Sequence, residues 1–376
     1  MTHSVFAPGL ESVTVAETEL SRVDGQSGEL VVVGYPIEEL AANATYEESV
    51  SLLFEGRLPT AEELSEFSER LAGRRSIGPE VRDVLRRSAA EDRDAMDALR
   101  AGMAAADLGA DVSGDRAQAT RVVAVAPTVV ATYWRYRAGE EPLAPDPELG
   151  HAANYLYMLT GERPDEETVR GLETYLNTVV DHGLNASTFT ARTIVSTESD
   201  LVSAATGAVG ALKGPLHGGA PGPVLDMLRA VQESGDPEGY VRERLDAGER
   251  LMGFGHRVYR VRDPRAAVLS TAARRYFEAA GETAFFETAE RLESVALDAL
   301  EDHTDRRLAT NVEYYTAALL HGIGIPRDLL TATFAVSRVG GWMAHCLEQL
   351  ADNRLVRPTA EHVGPSPRSW TPLDER

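Results

Sequence analysis

An all-α, two-domain helical fold with a small N-terminal β-hairpin is predicted by three observations. Apolar residues recur at helical spacing through most of the 376 residues. Gly, Pro and Asn punctuate these runs. Only one place, near the N-terminus, alternates with the period of a strand around a turn signal. Two domains are the expectation at this length. With no internal repeat and no low-complexity linker, the second domain reads as an excursion within the helical array.

The elements follow in order. Residues 12–35, SVTVAETELSRVDGQSGELVVVGY, carry two alternating runs around Asp24-Gly25, the signature of a hairpin. Residues 36–56, PIEELAANATYEESVSLLFEG, open on a proline suited to a first helical turn and end on a glycine suited to a helix stop. Similar helical patterns run over 60–73, 79–106, 116–138, 148–159, 165–181, 200–212, 222–233, 237–249, 264–281, 283–301, 312–322 and 326–350.

Composition narrows the function. Hydrophobic residues make up 43% and charged residues 26%, which suits a packed core rather than a disordered chain. No run of about 18 apolar residues predicts a transmembrane helix, and MTHSVFAPGLESVTVAETEL lacks the basic-then-apolar pattern of a secretion signal. Cys346 is the single cysteine, so no disulfide framework is expected and a reducing cytoplasm fits. The net charge of -22 argues against nucleic-acid binding. Lys213 is the single lysine. A GC-rich genome would favour Arg over Lys codons but does not explain the acid excess. An acidic, lysine-poor surface suited to multimolar salt explains both.

Four Gly-rich or turn-like places carry unusual polar residues: VVDHGLNASTF with His182, GPLHGGAPG with His217, LMGFGHRVYRVRDPR with His256 and several arginines, and RRLATNVEYYTA with Glu313. Histidines exchange protons near neutral pH, a carboxylate can act as base, and arginines clamp planar anions. There is no HExxH, paired Cys or His-x-His for a metal, no GxSxG nucleophile elbow and no phosphate loop. The set therefore suits acid–base work on an anionic substrate, with neither metal nor covalent nucleophile. Each residue also has a purely structural reading. His182 suits a helix C-terminus as a cation, and His217 and His256 suit loops that bond their own turns. Glu313 suits the first turn of a helix capped by Asn311. There the helix dipole favours its ionised form. Arg265 is harder to explain away. Behind Asp263 as cap and Pro264 as first helical residue, its charge opposes the dipole, so an anionic partner is expected. His3, His151, His303, His321, His345 and His362 read as surface or core residues.

Taken together, GPLHGGA, GFGHRVYRVRDPR, NVEYYTAALLHGIGIP and AVSRVGGWMAHCLEQLADNRLVRP resemble citrate synthase in order and spacing. GLESVTVAETELSRVDGQSGELVVVGY and DHGLNASTFTAR resemble the short, dimeric form. The similarity covers nearly the whole chain. It implies a citrate-synthase-like fold in which 1–217 and 326–376 form a large helical domain holding the dimer interface, and 218–325 a small domain that closes over the substrates. It implies a Claisen condensation of acetyl-CoA with oxaloacetate, followed by hydrolysis to citrate and CoA, with no cofactor and no metal. His217 would stabilise the enol, helped by the N-terminus of the helix that follows it. His256 would polarise the oxaloacetate carbonyl, and Glu313 would be the base. His182, His256, Arg265, Arg338 and Arg357 would hold oxaloacetate, with Arg357 acting across a homodimer. Leu251, Gly253, Phe254, Gly255, Arg260, Arg306 and Arg307 would hold CoA. Two departures stand out. The family usually has Asp where this chain has Glu313, and a proline is common at Thr310. A 2-methylcitrate synthase using propionyl-CoA shares every motif, and a non-catalytic binder of CoA or organic acids is a third reading.

The charge makes a direct prediction. Like charges on the acidic surface repel unless screened, and the Debye length is about 3 Å at 1 M salt. The melting temperature and the activity should rise from 0.1 to 2 M KCl; a flat thermal midpoint over that range would refute a salt-adapted surface.

Overall fold

The computed structural model describes residues 6–10, 13–106, 112–219, 221–256, 258–303 and 308–376. The hairpin is present. Strands β1 (Ser21–Asp24) and β2 (Glu29–Val32) pair antiparallel, Ser21 opposite Val32 and Asp24 opposite Glu29. The turn is tied by the Asp24 carboxylate, which accepts the N–H groups of Gln26 and Ser27. A two-residue strand β3 (Tyr35–Pro36) adds to β2, and residues 13–18 form no strand. Leu30 and Val32 are fully buried, so one face of the sheet joins the helical core.

Sixteen α-helices lie among the described residues. The expected helix over 36–56 is two, α1 (Ile37–Asn43) and α2 (Tyr46–Glu55). Thr45 breaks it: its hydroxyl accepts the Glu48 N–H while the Glu48 carboxylate accepts the Thr45 N–H, a capping box that starts a new helix. After α3 (Ala61–Ala72), the expected helix over 79–106 is also two, α4 (Pro79–Ala90) and α5 (Ala95–Ala104). Here Asp92 adopts φ 50 and Asp94 caps α5. Then come α6 (Asp115–Arg137), α7 (His151–Thr160) and α8 (Glu166–Val179).

Helix α9 (Ala186–Val195) was not expected. Its sequence, ASTFTARTIV, is rich in Ser, Thr and β-branched residues and shows no clear apolar stripe. Asn185 nucleates it by accepting the N–H groups of Ser187 and Thr188, both at 3.1 Å. Next come α10 (Leu201–Leu212), α11 (Pro221–Ser234), α12 (Pro237–Asp246), α13 (Pro264–Ala280), α14 (Ala284–His303), α15 (Val312–Gly322) and α16 (Leu330–Ala351).

Helix α16 is the axis of the packing. Every residue from Ala332 to Cys346 is buried, as expected of a helix surrounded on all sides. It packs on α2, α6, α8, α9 and α10. Gly341 sets how close it comes to the end of α8: a Cβ there would lie 2.3 Å from the Val180 carbonyl oxygen. Helices α11, α12, α14 and α15 pack on one another, while α13 packs on α15 and also on α1 and α8. No helix among the described residues is long and apolar enough to cross a membrane.

Candidate functional site

Five segments bring their polar residues together: the chain leaving α8, the loop before α11, the loop 251–263, the first turn of α15 and the middle of α16. Asp263 caps α13 through the Arg265 N–H (3.0 Å). The same carboxylate accepts two bonds from the Arg265 guanidinium, at 3.0 and 2.8 Å. The anionic partner expected for Arg265 is thus partly internal. Both residues are buried. Burial pushes the Arg265 guanidinium down, but Asp263 reverses this and holds it above its usual range.

Arg338 has less. From α16 its Nε donates to the Val179 carbonyl oxygen at 2.6 Å, and its guanidinium lies over the Phe334 ring. Its buried Nη2 finds no partner among the described residues. Burial lowers it to about 10. A buried guanidinium with an unused donor is costly unless an anion completes it.

The histidines gather beside these charges. His182 Nε2 lies 3.1 Å from the Tyr259 hydroxyl, and its ring centre is 6.0 Å from that of His256. The N–H groups of Val258 and Tyr259 both point at His256 Nδ1, at 3.0 and 3.1 Å. These two short bonds outweigh the Arg265 Nη2 that lies 3.5 Å from Nε2, so Nδ1 accepts and the proton of the neutral ring is on Nε2. His217 is set the other way round. Ser187 N–H donates to its Nε2 at 3.3 Å and the Ser187 hydroxyl lies 2.8 Å away, held in turn by Trp342 Nε1–H. Nε2 accepts, which leaves the proton on Nδ1. Ser187 lies in the first turn of α9, so the N-terminus of α9 meets the ring. Burial, then Arg338, lowers His217 to about 4; burial, then Arg265, does the same to His256. Burial, then Arg265 and Arg338, takes His182 well below its ordinary value. All three are neutral at pH 7.

Glu313 stands in the first turn of α15, its N–H capped by Asn311 at 3.0 Å. The expectation of a fully ionised carboxylate is corrected here. Burial raises Glu313 to about 7 against the pull of Arg265 and Arg338, with Asp263 adding to the rise. Desolvation outweighs the helix dipole.

The loop 251–255 forms as a unit. Phe254 bridges Thr310, Gly255 N–H donates to Ala309 at 2.7 Å, and Asn311 N–H donates to Gly253 at 2.9 Å. Gly253 has φ +89, and a Cβ there would meet the Tyr314 ring at 2.7 Å. Leu251 is buried beneath. Arg260 donates its backbone N–H to the Gly25 carbonyl at the hairpin turn and lines a groove of about 580 Å³ with Arg262 and Leu308 to Thr310. Arg306 and Arg307 lie outside the described residues.

Arg357 does not join the cluster. It is exposed past α16, where Val356 N–H is held by the Ser196 hydroxyl. Ser196 ends α9, and His217 meets the other end of that ten-residue helix, about 15 Å away. Four partners were not singled out from the sequence: Tyr259, Ser187, Trp342 and His345. Only Tyr259 carried a local signal, inside GFGHRVYR. His345, buried as expected of a core residue, lies 3.2 Å from Asp181, the residue before His182. Among the described residues no group of His, Cys, Asp and Glu is placed to hold a metal ion.

A family model described as "Citrate synthase, C-terminal domain" matches residues 9–359. The chain is 48% identical to citrate synthase of Haloferax volcanii, covering 98% of each chain. It superposes on citrate synthase of Pyrobaculum aerophilum with a TM-score of 0.87 at 36% identity, covering 98% of this chain and 95% of that one. The ternary complex of carboxymethyl coenzyme A and oxaloacetate with citrate synthase of Thermoplasma acidophilum superposes with a TM-score of 0.89 at 31% identity, covering 99% and 100%.

Proposed function

The chain belongs to the citrate synthase family, and from that premise we propose how its own residues carry the condensation. It is an acyltransferase of the citrate synthase type, joining acetyl-CoA to oxaloacetate and releasing citrate and CoA. The observation that carries the assignment of roles is the unpartnered buried Nη2 of Arg338 beside three neutral histidines. Arg338 and Arg265 take the carboxylates of oxaloacetate, with His182 alongside. His256 presents Nε2–H to the keto oxygen and polarises it. His217 presents Nδ1–H to the thioester oxygen. Glu313 removes a methyl proton, the enol forms, and its carbon attacks the polarised keto carbon to give citryl-CoA. Water then cleaves the thioester. A base near 7 is well matched to neutral pH, and neutral donors suit a step that creates an oxyanion without giving it a full proton. Leu251, Gly253, Phe254, Gly255 and Arg260 hold CoA, and no cofactor or metal takes part.

The same reading gives a homodimer of the short form in the cytoplasm of a salt-adapted organism. The small domain, residues 218–325, closes on 1–217 and 326–376 to exclude water. Arg357 completes the oxaloacetate site of the neighbouring subunit. Its position at the far end of α9 from His217 supports this, since it does not reach the site of its own chain.

Four experiments test the account. Purified protein should release free thiol from acetyl-CoA and oxaloacetate, unaffected by EDTA, and more slowly from propionyl-CoA. Glu313→Gln should lower kcat by about 10²–10⁴, with oxaloacetate binding little changed. At limiting substrate, wild-type activity should rise with pH through about 7 and level off above, because the base must be ionised. An unchanged rate in Glu313→Gln would move the base elsewhere. Mixing inactive Arg357→Ala subunits with inactive His256→Ala subunits should restore about a quarter of the activity, because each hybrid regains one complete site. Inactive hybrids, with subunit exchange confirmed, would place Arg357 outside the site.

A further inference from the structure

Glu293 lies on α14, a helix that gives no group to the cluster. Its carboxylate nevertheless gathers donors from the two segments that carry three of the site's charged groups. Thr310 Oγ1 donates to Oε1 at 2.6 Å, three residues before Glu313. The Tyr315 hydroxyl donates to Oε2, two residues after Glu313. The Arg262 guanidinium reaches Oε1 at 3.2 Å, one residue before Asp263 and three before Arg265. Thr310 and Tyr315 are buried, and the Glu293 side chain is 14% exposed. Thr310 is also tied through its backbone, since its carbonyl accepts the Asp263 N–H at 3.3 Å and the residue bridges Phe254.

We infer that Glu293 is a positioning residue for Glu313, fixing the start of α15 against the loop that carries Asp263 and Arg265. The inference rests on the reading of Glu313 as base. The chemistry at 310 is what makes the tie necessary. A proline at 310 would hold φ near about -65° by its ring. Threonine leaves φ free. Here the Oγ1 bond to Glu293 ties the residue to α14 through its side chain instead. Placement of Glu313 matters because a displacement of about 1 Å at a reacting group can cost roughly 10²-fold in rate.

The test compares Glu293→Ala, Thr310→Val and Glu293→Ala/Thr310→Pro with the wild type, in parallel with Glu313→Gln. Thr310 N–H donates no hydrogen bond among the described residues, so proline there removes none. Glu293→Ala should lower kcat by about 10- to 100-fold, leave the KM and affinity for oxaloacetate within about threefold, and move the pH at which activity rises. Thr310→Val, which removes only the hydroxyl, should lower kcat by a smaller factor in the same direction. Proline at 310 should restore several-fold of the kcat that Glu293→Ala lost, measured well below the melting temperature of each variant so that a change in stability does not contribute. Wild-type kcat in Thr310→Val, beside a crippled Glu313→Gln, overturns the inference, as does a Glu293→Ala defect confined to oxaloacetate binding or not relieved by proline. If Glu293→Ala does not fold, Thr310→Val decides alone. An unchanged rate in Glu313→Gln instead overturns the base assignment and is recognised as such.

Discussion

Two guanidinium groups are buried in one small volume, and the rest of the site answers to them. Removing a charge from water is costly unless partners replace the lost hydration. Arg265 has the Asp263 carboxylate as a partner. Arg338 has one backbone carbonyl and an aromatic face, with Nη2 left over. This excess positive potential adds to burial in keeping His182, His217 and His256 neutral. It also opposes the rise of Glu313, which settles near 7 instead of higher. A dianionic substrate supplies what the protein withholds. In the function proposed above, it completes the hydrogen bonds of Arg338 and meets the two imidazole N–H groups with oxygens that gain charge during reaction.

The second constraint is mechanical. Each imidazole is held on its non-donating nitrogen by backbone N–H groups, for His256 from its own turn and for His217 from the start of α9. Helix α9 is in turn fixed to α16, where Trp342 donates to Ser187 and Arg192 to Gln349 and Glu348. The proton position on His217 is therefore set by the packing of two helices, and that on His256 by its own turn.

Much of this was legible in the sequence, for reasons that differ from element to element. The helices with one apolar face were readable because periodicity reports burial directly. The splits at Thr45 and Asp94 were not taken from periodicity, since an apolar stripe can continue across a break; Thr45-x-x-Glu48 was the signal that marked the first. Helix α9 escaped because it is buried through Ser187, Thr188 and Arg192 as well as apolar residues, so it has no stripe. His182, His217 and His256 stood out by their company of glycines and Arg265 by the oddity of an arginine in a first helical turn, while Arg338 and Arg357 entered only through the resemblance. What the sequence did not carry were the relations across distance. The Ser187–His217 bond spans 30 residues and the Arg192–Glu348 pair 156. Glu313 shows the limit of local reasoning: the helix dipole is a local effect and pointed to an ionised group, while burial is a property of the whole fold and outweighs it.

The central claim is that His217 and His256 are neutral with protons on opposite ring nitrogens, before any substrate binds. Nitrogen-15 NMR of the substrate-free enzyme with labelled histidine, followed from pH 7.5 to 5 on about that range, reads both facts for each ring. The account gives His217 protonated at Nδ1 and His256 at Nε2 throughout, with neither ring becoming an imidazolium. An imidazolium signal that titrates near the ordinary value of about 6.5, or the same tautomer in both rings, would contradict it.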